Sequence, residues 1–513
     1  MTAVESGLFL GIDIGTFETK GVLVNEAGVV VAQARRPHAL ATPFAGQAEH
    51  DAETVWWQAL TEVAQTLAAD PAVAGREDCA IRAVGVSAIG PCVLPIDAQF
   101  NPLRPAILYG VDTRATAQID TLNERLGADT IFARAGNSLT SQSAGPKILW
   151  IKDNERTVYE NAAYFVTSQT FLVARLTGEV VIDHGTAAYF HPLYDLAKKV
   201  WDVTGCEDFI TEERLPRLAW ATDIAGHVTD AAAAQTGIPA GTPVIVGTTD
   251  SPAEAVGSSV VHAGDLMLMY GSSTYMIEVL DEPTTSDVLW SAPFVFPDSY
   301  VLAAGTATAG TLTHWMGDLL ELSEKRESPN HMFTALLQLA KESVPGARGL
   351  LFLPYFSGER TPIHDPNARG IIAGLTLQHT RADIARAMME GIGHSIADAL
   401  NAFAVAGKRP QRIYAVGGGT KNQFFLQTVS DLTDNPQVVV ETAGAAFGDA
   451  ALAAFGTGFL TSRDEIVAWC HTGPTVQPEA ANQMQLRADH ADFQQLYRNT
   501  RDLINARATR VLS

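Results

Sequence analysis

Two glycine-bearing turns and one aspartate carry most of the chemistry written in this chain. Residues 8 to 24, LFLGIDIGTFETKGVLV, set Asp13, Thr16 and Lys20 with three glycines between apolar runs. Glycine lets backbone amides approach an anion closely and a hydroxyl adds a donor, so the turn at Thr16 can present several hydrogen bonds to one phosphate. Asp13 closes its strand, where a carboxylate can hold a magnesium ion, through water because magnesium keeps much of its hydration shell. Lys20 reaches the same phosphates. The stretch DLMLMYGSSTYMIEVLDE, from Asp265, repeats the design: an apolar strand, a turn with Gly271 and Ser272, and a second apolar strand. Facing each other, the two turns clamp a polyphosphate. A lone turn of this kind is most simply a tight hairpin, and it is the duplication, about half a chain apart, that favours a function.

Asp250 is the candidate base. It ends the apolar run PVIVGTTD and precedes Ser251, Pro252 and Glu254, the pattern of a capping box with proline at the first helical position. A helix N-terminus favours the ionised carboxylate, so Asp250 is expected unprotonated near neutral pH and able to accept a hydroxyl proton. Simple capping of the helix is the competing reading, and the position between the two turns selects the base. A third loop, in RIYAVGGGTKNQFFLQTVSDL, puts three glycines between a strand and a helix. It has neither Walker A nor G-x-G-x-x-G spacing, which excludes a P-loop and a Rossmann cofactor. Gly417 to Gly419 with Asn422 can seat an adenosine, or can be a close-packed crossover.

The elements that must position these groups alternate between strand and helix, the pattern of an α/β protein. The opening runs form a three-stranded meander turning at Asn25 to Gly28, followed by a helix capped by Asp51 and a buried strand, IRAVGVSAI. The meander from Asp265 restarts the scheme. We therefore expect an N-terminal lobe over 1–252, a C-terminal lobe over 253–475 and a closing helical tail over 476–513. The 513 residues, 47% hydrophobic, suffice for two or three domains. A net charge of -22 disfavours nucleic acid and anionic lipid as partners, so an anionic cosubstrate needs locally placed donors. Cys79, Cys92, Cys206 and Cys470 show neither metal-ligand spacing nor a secreted disulfide density, and the N-terminus shows no signal-peptide pattern; a reduced, cytoplasmic protein is expected. AGAAFGDAALAAFGTGFL, the most membrane-like stretch, carries Asp449 and reads as a buried, closely packed helix.

With these residues in place, the chain resembles the FGGY family of carbohydrate kinases over roughly residues 8 to 460. GIIAGLTLQHTRADIARAMME, from Gly370 to Glu390, fits the second family signature throughout, and SGERTP, Ser357 to Pro362, is typical of it. The first signature is kept in KILWIKDN but departs at Gln142 and Ala144. The resemblance implies two ribonuclease H-like lobes of the actin and Hsp70 ATPase type around a central cleft, with ATP and magnesium as cosubstrate and cofactor. It places Asp13, Thr16 and Lys20 in the first phosphate loop, Gly271 and Ser272 in the second, and Asp250 as the catalytic base. Gly310 falls beside the nucleotide, or serves as a helix-packing glycine, and Gly418 and Asn422 fall at the adenosine site. A homodimer is expected by analogy.

PAILYGVDTRA and GDLMLMYGSS are similar to the xylulokinase branch of the family, which implies phosphorylation of a ketopentose, D-xylulose first. The departure is at VSAIGPCVLPID, where the best-known xylulokinases carry a Met-His pair and glycerol kinases an Arg-Glu pair. Ile89, Gly90 and Pro91 offer little polarity there, so the alternative acceptor is another ketose, a deoxy sugar or a polyol such as L-xylulose, ribulose, erythritol or glycerol. Gln142 is a polar replacement or a solvated loop amide. Lys147 and Trp150 read as structural. A different class, an actin- or Hsp70-like ATPase without a sugar, requires a protein-binding appendage, and a regulator without catalysis requires a damaged base or phosphate loop; neither sign is present.

Overall fold

In the computed structural model, which describes residues 7–73, 80–322, 329–441 and 444–512, the two meanders become the centres of two mixed sheets. Cys79 lies outside the described residues. The first sheet contains β1 (Leu8–Ile14), β2 (Glu18–Asn25) and β3 (Val30–Pro37), an antiparallel meander whose first turn beyond β2 is closed by Gly28 N–H donating to Asn25 O at 2.9 Å. Asp51 accepts from Thr54 N at 2.8 Å as expected of a cap, but the first turn it starts is π-helical and leads into α1 (Gln58–Ala68). β4 (Ile81–Ala88) runs parallel beside β1, and β5 (Ile224–His227) and β6 (Pro243–Ile245) complete the order β5-β6-β4-β1-β2-β3. A helix, α2 (Asp250–Val256), then leads to the second half.

The second sheet repeats this plan. β7 (Asp265–Tyr270), β8 (Thr274–Leu280), β9 (Trp290–Pro293) and β10 (Tyr300–Gly305) are antiparallel neighbours in the order β9-β10-β8-β7. Helices α3 (Gly310–Leu319) and α4 (Arg381–Val405) precede β11 (Arg412–Val416), which lies parallel to β7; α5 (Gln423–Thr433) crosses to β12 (Gln437–Val440). Then come α6 (Ala445–Gly456), an edge strand β13 (Thr472–Val476), and the closing helix α7 (Ala480–Leu512). An antiparallel meander, of three strands in the first sheet and four in the second, joined in each case by parallel strands, is the ribonuclease H-like arrangement that the sequence resemblance implies.

Strand periodicity decides which residues meet. Leu8, Leu10, Ile12 and Ile14 point into a core with Trp56, Leu60 and Val63, while Phe9, Gly11 and Asp13 take the opposite face. That face is covered by α6, a helix from the second half of the chain. It lies so close that a Cβ at Gly11 would stand 1.8 Å from Ala446 O and one at Gly85 2.1 Å from Asp449 O. α6 also packs on α2, where Gly448 meets the Ala253 carbonyl. The stretch expected as a close-packed helix is therefore the seam between lobes, and Phe447, Ala450 and Leu452 share one core with Phe9 and Val256. Among the described residues no helix is long and apolar enough to cross a membrane.

Candidate active site

Because β1 alternates, Asp13 emerges on the seam face one residue before the first turn. Gly15 N–H closes that turn on Glu18 O at 3.0 Å, and Lys20 stands directly opposite Asp13 in the antiparallel register. Thr16 Oγ1 lies 3.2 Å from the hydroxyl of Tyr109, which ties the turn to a neighbouring loop. That loop is held by Lys147, which is buried and donates to Tyr109 O at 3.0 Å and to Leu108 O. Burial pushes the Lys147 ammonium down to about 8, with Asp112 opposing the shift. The lysine expected to be an ordinary helix residue is thus a buried strut beneath the site.

Asp250 is the first residue of α2, so its carboxylate accepts from Ser251 N at 2.8 Å and Ser251 Oγ at 3.2 Å. The capping box expected between Ser251 and Glu254 does not form. The helix starts two residues earlier, at Asp250 rather than Pro252, Ser251 turns to Asp250, and Glu254, one turn on, sits on the same helix face as Asp250. Glu254 is close enough to Asp13 and Lys20 for their charges to interact. Burial raises Asp250 to about 6 despite the Ser251 donors. It raises Glu254 to about 7, with Asp250 adding to the shift. Asp13 reaches about 8 through burial and the charges of Asp250 and Glu254, with Lys20 opposing.

A fourth carboxyl lies behind these. Asp449 on α6 is fully buried, and its Oδ2 accepts from Ser87 N at 3.1 Å and Ser87 Oγ at 2.7 Å; the same hydroxyl is 3.3 Å from Asp13 Oδ1. Burial and Asp13 hold Asp449 well above the usual carboxylate range. The carboxyl groups of Asp13, Asp250 and Glu254, opposed by Lys20, are hard donors, and a divalent cation bound there would displace the protons that burial keeps on them. The donor set is all oxygen, as magnesium requires. Among the described residues no three His, Cys, Asp or Glu side chains form a coordination shell, and an ion held at Asp13 would keep most of its water.

The second turn mirrors the first, with Gly271 N–H donating to Ser273 O at 3.0 Å. The N-terminus of α3 is packed onto it: Gly310 N donates to Gly271 O at 3.0 Å, and Ala309 N and Thr311 N donate to Ser272 O at 2.9 and 3.2 Å. A Cβ at Gly310 would lie 2.5 Å from Gly271 O, so this glycine is required by close packing against the turn. Glu359, of SGERTP, braces the same region by accepting from Ala307 N, Arg360 N and Ser395 Oγ. In the glycine triplet, Gly417 and Gly419 press on Tyr270, whereas a Cβ at Gly418 would meet nothing within 4 Å. Asn422, expected at the adenosine, also has a structural role. It is fully buried and caps α5, accepting from Phe424 N at 3.0 Å and Phe425 N at 3.3 Å, because the helix start needs its amide oxygen.

On the acceptor side, Ile89 also departs from expectation: its side chain is buried in the first-lobe core, and its backbone bonds to Ile14 O at 2.7 Å. Gly90 abuts Thr249, the neighbour of Asp250, where a Cβ would stand 2.5 Å from Thr249 Cγ2. Gln142 lines a cavity of about 560 Å³ between the lobes, with its Oε1 accepting from Gly110 N at 3.1 Å. Tyr109, Tyr189 and Tyr275, which sequence reasoning did not single out, feel the charge of Asp250 and line the same cavity. An aromatic residue directly after a phosphate turn, as at Tyr275, was the one local signal available for them.

Comparison with known proteins gives the same picture. The model of the FGGY family of carbohydrate kinases, N-terminal domain, matches residues 8–257, and that of the C-terminal domain matches residues 266–457. A xylulose kinase of Bacillus subtilis (strain 168) is 30% identical over 504 residues, 97% of this chain and 98% of its own. A gluconokinase of the same organism is 27% identical over 89% of each chain. The crystal structure of xylulose kinase from Rhodospirillum rubrum superposes with a TM-score of 0.90 at 29% identity, covering 97% of this chain and 99% of that one.

Proposed function

Since the chain belongs to the FGGY family of carbohydrate kinases, and is a sugar phosphotransferase, we propose that it transfers the γ-phosphate of ATP to a hydroxyl of a ketose, with D-xylulose as the reference acceptor. The observation that carries the reading is Asp250: a half-buried carboxylate, with a pKa of about 6, at the start of a helix beside Asp13 and the first turn. A base must be ionised at working pH yet basic enough to take a proton, and a value just below 7 satisfies both.

In this reading the turns at Thr16 and Ser272 hold the phosphates with backbone amides and hydroxyls, and the open face of Gly418 receives the nucleoside. Lys20 adds a positive charge on the phosphate side. Asp13 would hold magnesium through water, and when bound the ion supplies neutralisation of phosphate charge. The acceptor lies in the cavity against Gln142 and Tyr275, its reacting hydroxyl aimed at Asp250, which accepts the proton as the oxygen attacks phosphorus. Residues of both lobes line that cavity, so drawing the lobes together would exclude water and disfavour transfer to it. The xylulose kinase relatives support a ketopentose; the gluconokinase relative is the reason for a wider test. Cytoplasmic location and a homodimer are part of the same proposal. ADP release from the purified protein with magnesium and ATP, across ketopentoses, polyols and gluconate, is expected to rise many-fold with D-xylulose. Equal release in every case, including without acceptor, would overturn the kinase reading.

A further inference from the structure

The first phosphate turn is held by residues outside its own hairpin. Tyr109 meets the Thr16 hydroxyl at 3.2 Å, and the backbone N–H of His38 donates to Phe17 O at 2.9 Å. A third group comes from a short antiparallel ribbon in which Glu49 and His50 pair with Ile107 and Ala106, just before Tyr109. The ribbon is pinned at Glu49, which accepts from Arg104 at 2.5 Å and from Arg114 at 2.7 Å. His50 is 1% exposed, and its Nδ1 accepts from the Trp56 indole N–H at 3.1 Å. An indole nitrogen only donates, so Nδ1 carries no proton, and in the neutral ring the proton sits on Nε2.

Burial, with His38 adding to it, holds the His50 ring down to about 4, so the ring is neutral near neutral pH. The Thr16 backbone opposes that shift, as a carbonyl facing a ring N–H does. Nε2 is nonetheless buried with no partner within hydrogen-bonding distance among the described residues. The ring of His38, edge-on with centroids 5.3 Å away, has unpartnered nitrogens as well. A metal ion shared by the two rings would need a lone pair on His50 Nε2, where the tautomer set by Trp56 places a hydrogen. The orphan is therefore a donor, and the first phosphate turn is the backbone it faces.

Resting on the kinase reading, we propose that His50 is a positioning residue for phosphate binding: its Nε2–H donates to the Thr16 carbonyl and fixes the first turn as the turn closes on ATP. A buried donor left unpaired costs free energy, and a turn that settles onto it when phosphate enters recovers that cost, which favours the bound state. One neutral hydrogen bond of this kind changes an affinity about 3- to 10-fold.

The test uses the full chain with magnesium, ATP and D-xylulose. His50→Gln has an amide that can accept from Trp56 at one atom and donate towards Thr16 at the other, whereas His50→Leu keeps bulk and removes both. In His50→Leu the KM for ATP should rise about 3- to 10-fold, calorimetric ATP affinity should fall by the same factor, and the acceptor KM should change less than about twofold. In His50→Gln the KM for ATP should stay within about twofold of the unaltered protein. A role in packing alone would lower the melting temperature and leave the KM for ATP of folded His50→Leu unchanged; that result, or an equal rise in both variants, would overturn the proposal. The proton is located in the unaltered chain by NMR of nitrogen-labelled histidine, with the His50 signal assigned by its absence from His50→Gln. It should lie on Nε2, and its signal should move when magnesium and ATP are added. A proton on Nδ1, or a signal that ATP leaves in place, would overturn the proposal even where His50→Leu does not fold. ADP release by the unaltered chain that no acceptor stimulates would instead remove the kinase reading, and this role with it.

Discussion

Replacing Asp250 with asparagine separates its chemical role from its structural one. The carboxylate Oδ1 accepts from Ser251 N at 2.8 Å, and an amide oxygen can accept the same bond, so the start of α2 should survive. The variant also removes a half-buried negative charge that raises both Asp13 and Glu254, so nucleotide affinity should hold or improve slightly. What is lost is the proton acceptor. General base catalysis contributes about 100- to 10,000-fold, equivalent to roughly 3–5 kcal/mol of barrier, and kcat should fall by that factor. The pH profile gives a second, independent reading. With a pKa of about 6, roughly nine in ten carboxylates are ionised at pH 7 and about one in ten at pH 5. The unaltered protein should therefore lose activity about tenfold between those values as the base becomes protonated, and the residual activity of the variant should lack that limb. ADP release by a coupled assay and ATP affinity by calorimetry measure the two parts. Turnover within about threefold of the unaltered protein, far short of the loss expected on removing a base, or an acid limb that persists in the variant, would show that Asp250 has only a structural role at the start of its helix.

Three further outcomes follow from named contacts. Gly418→Ala should leave the melting temperature unchanged but raise the KM for ATP several-fold, because its Cβ enters open space; Gly419→Ala should instead lower the melting temperature, its Cβ meeting Tyr270 Cβ at 2.8 Å. Lys147→Met should cost about 1.5–3 kcal/mol in a urea titration, the value of a hydrogen bond to a charged group, and raise the acceptor KM by loosening Tyr109. Asp449→Asn should stabilise the protein increasingly as pH rises. Its folded-state pKa is raised, so the native chain keeps a proton that the unfolded chain releases above about 3.9. The contribution is fully present below that value and is lost towards the folded pKa, since stability falls with pH wherever the native state binds more protons. Melting temperatures of the two proteins should coincide near pH 4 and diverge by pH 8.

Local pattern was enough to locate both meanders, the two turns and Asp250, because strand alternation and glycine placement are short-range properties. Alternation also implies which face of β1 carries Asp13. What local pattern could not show is which distant residue completes a contact. Glu254 looked like a capping partner because S-x-x-E is a common helix start, and only the position of Lys20 and Asp13 reveals its other surroundings. Asp449 looked like a break in an apolar run; its partner Ser87 is 362 positions away. Lys147 sits on a helix of unremarkable sequence, yet two carbonyls of a loop 38 and 39 residues earlier bury it. Asn422 is a different case: a polar residue after glycines suggested a ligand contact, and local pattern did not show that the helix that follows takes its amide oxygen. Ile89 was placed at the acceptor by its neighbours in the chain, although its side chain belongs to the core.

The seam helix α6 has a bearing on how the chain is made. The glycine faces of β1 and β4 are covered by residues 445–456, so a ribosome must translate more than four hundred further codons before the earliest strands receive their lid. Until then the nascent first half keeps Phe9 and its neighbours uncovered for some two hundred codons, a setting in which chaperone capture is expected. A fragment ending near residue 252 would keep that exposure permanently, which makes insolubility, rather than partial function, its expected fate.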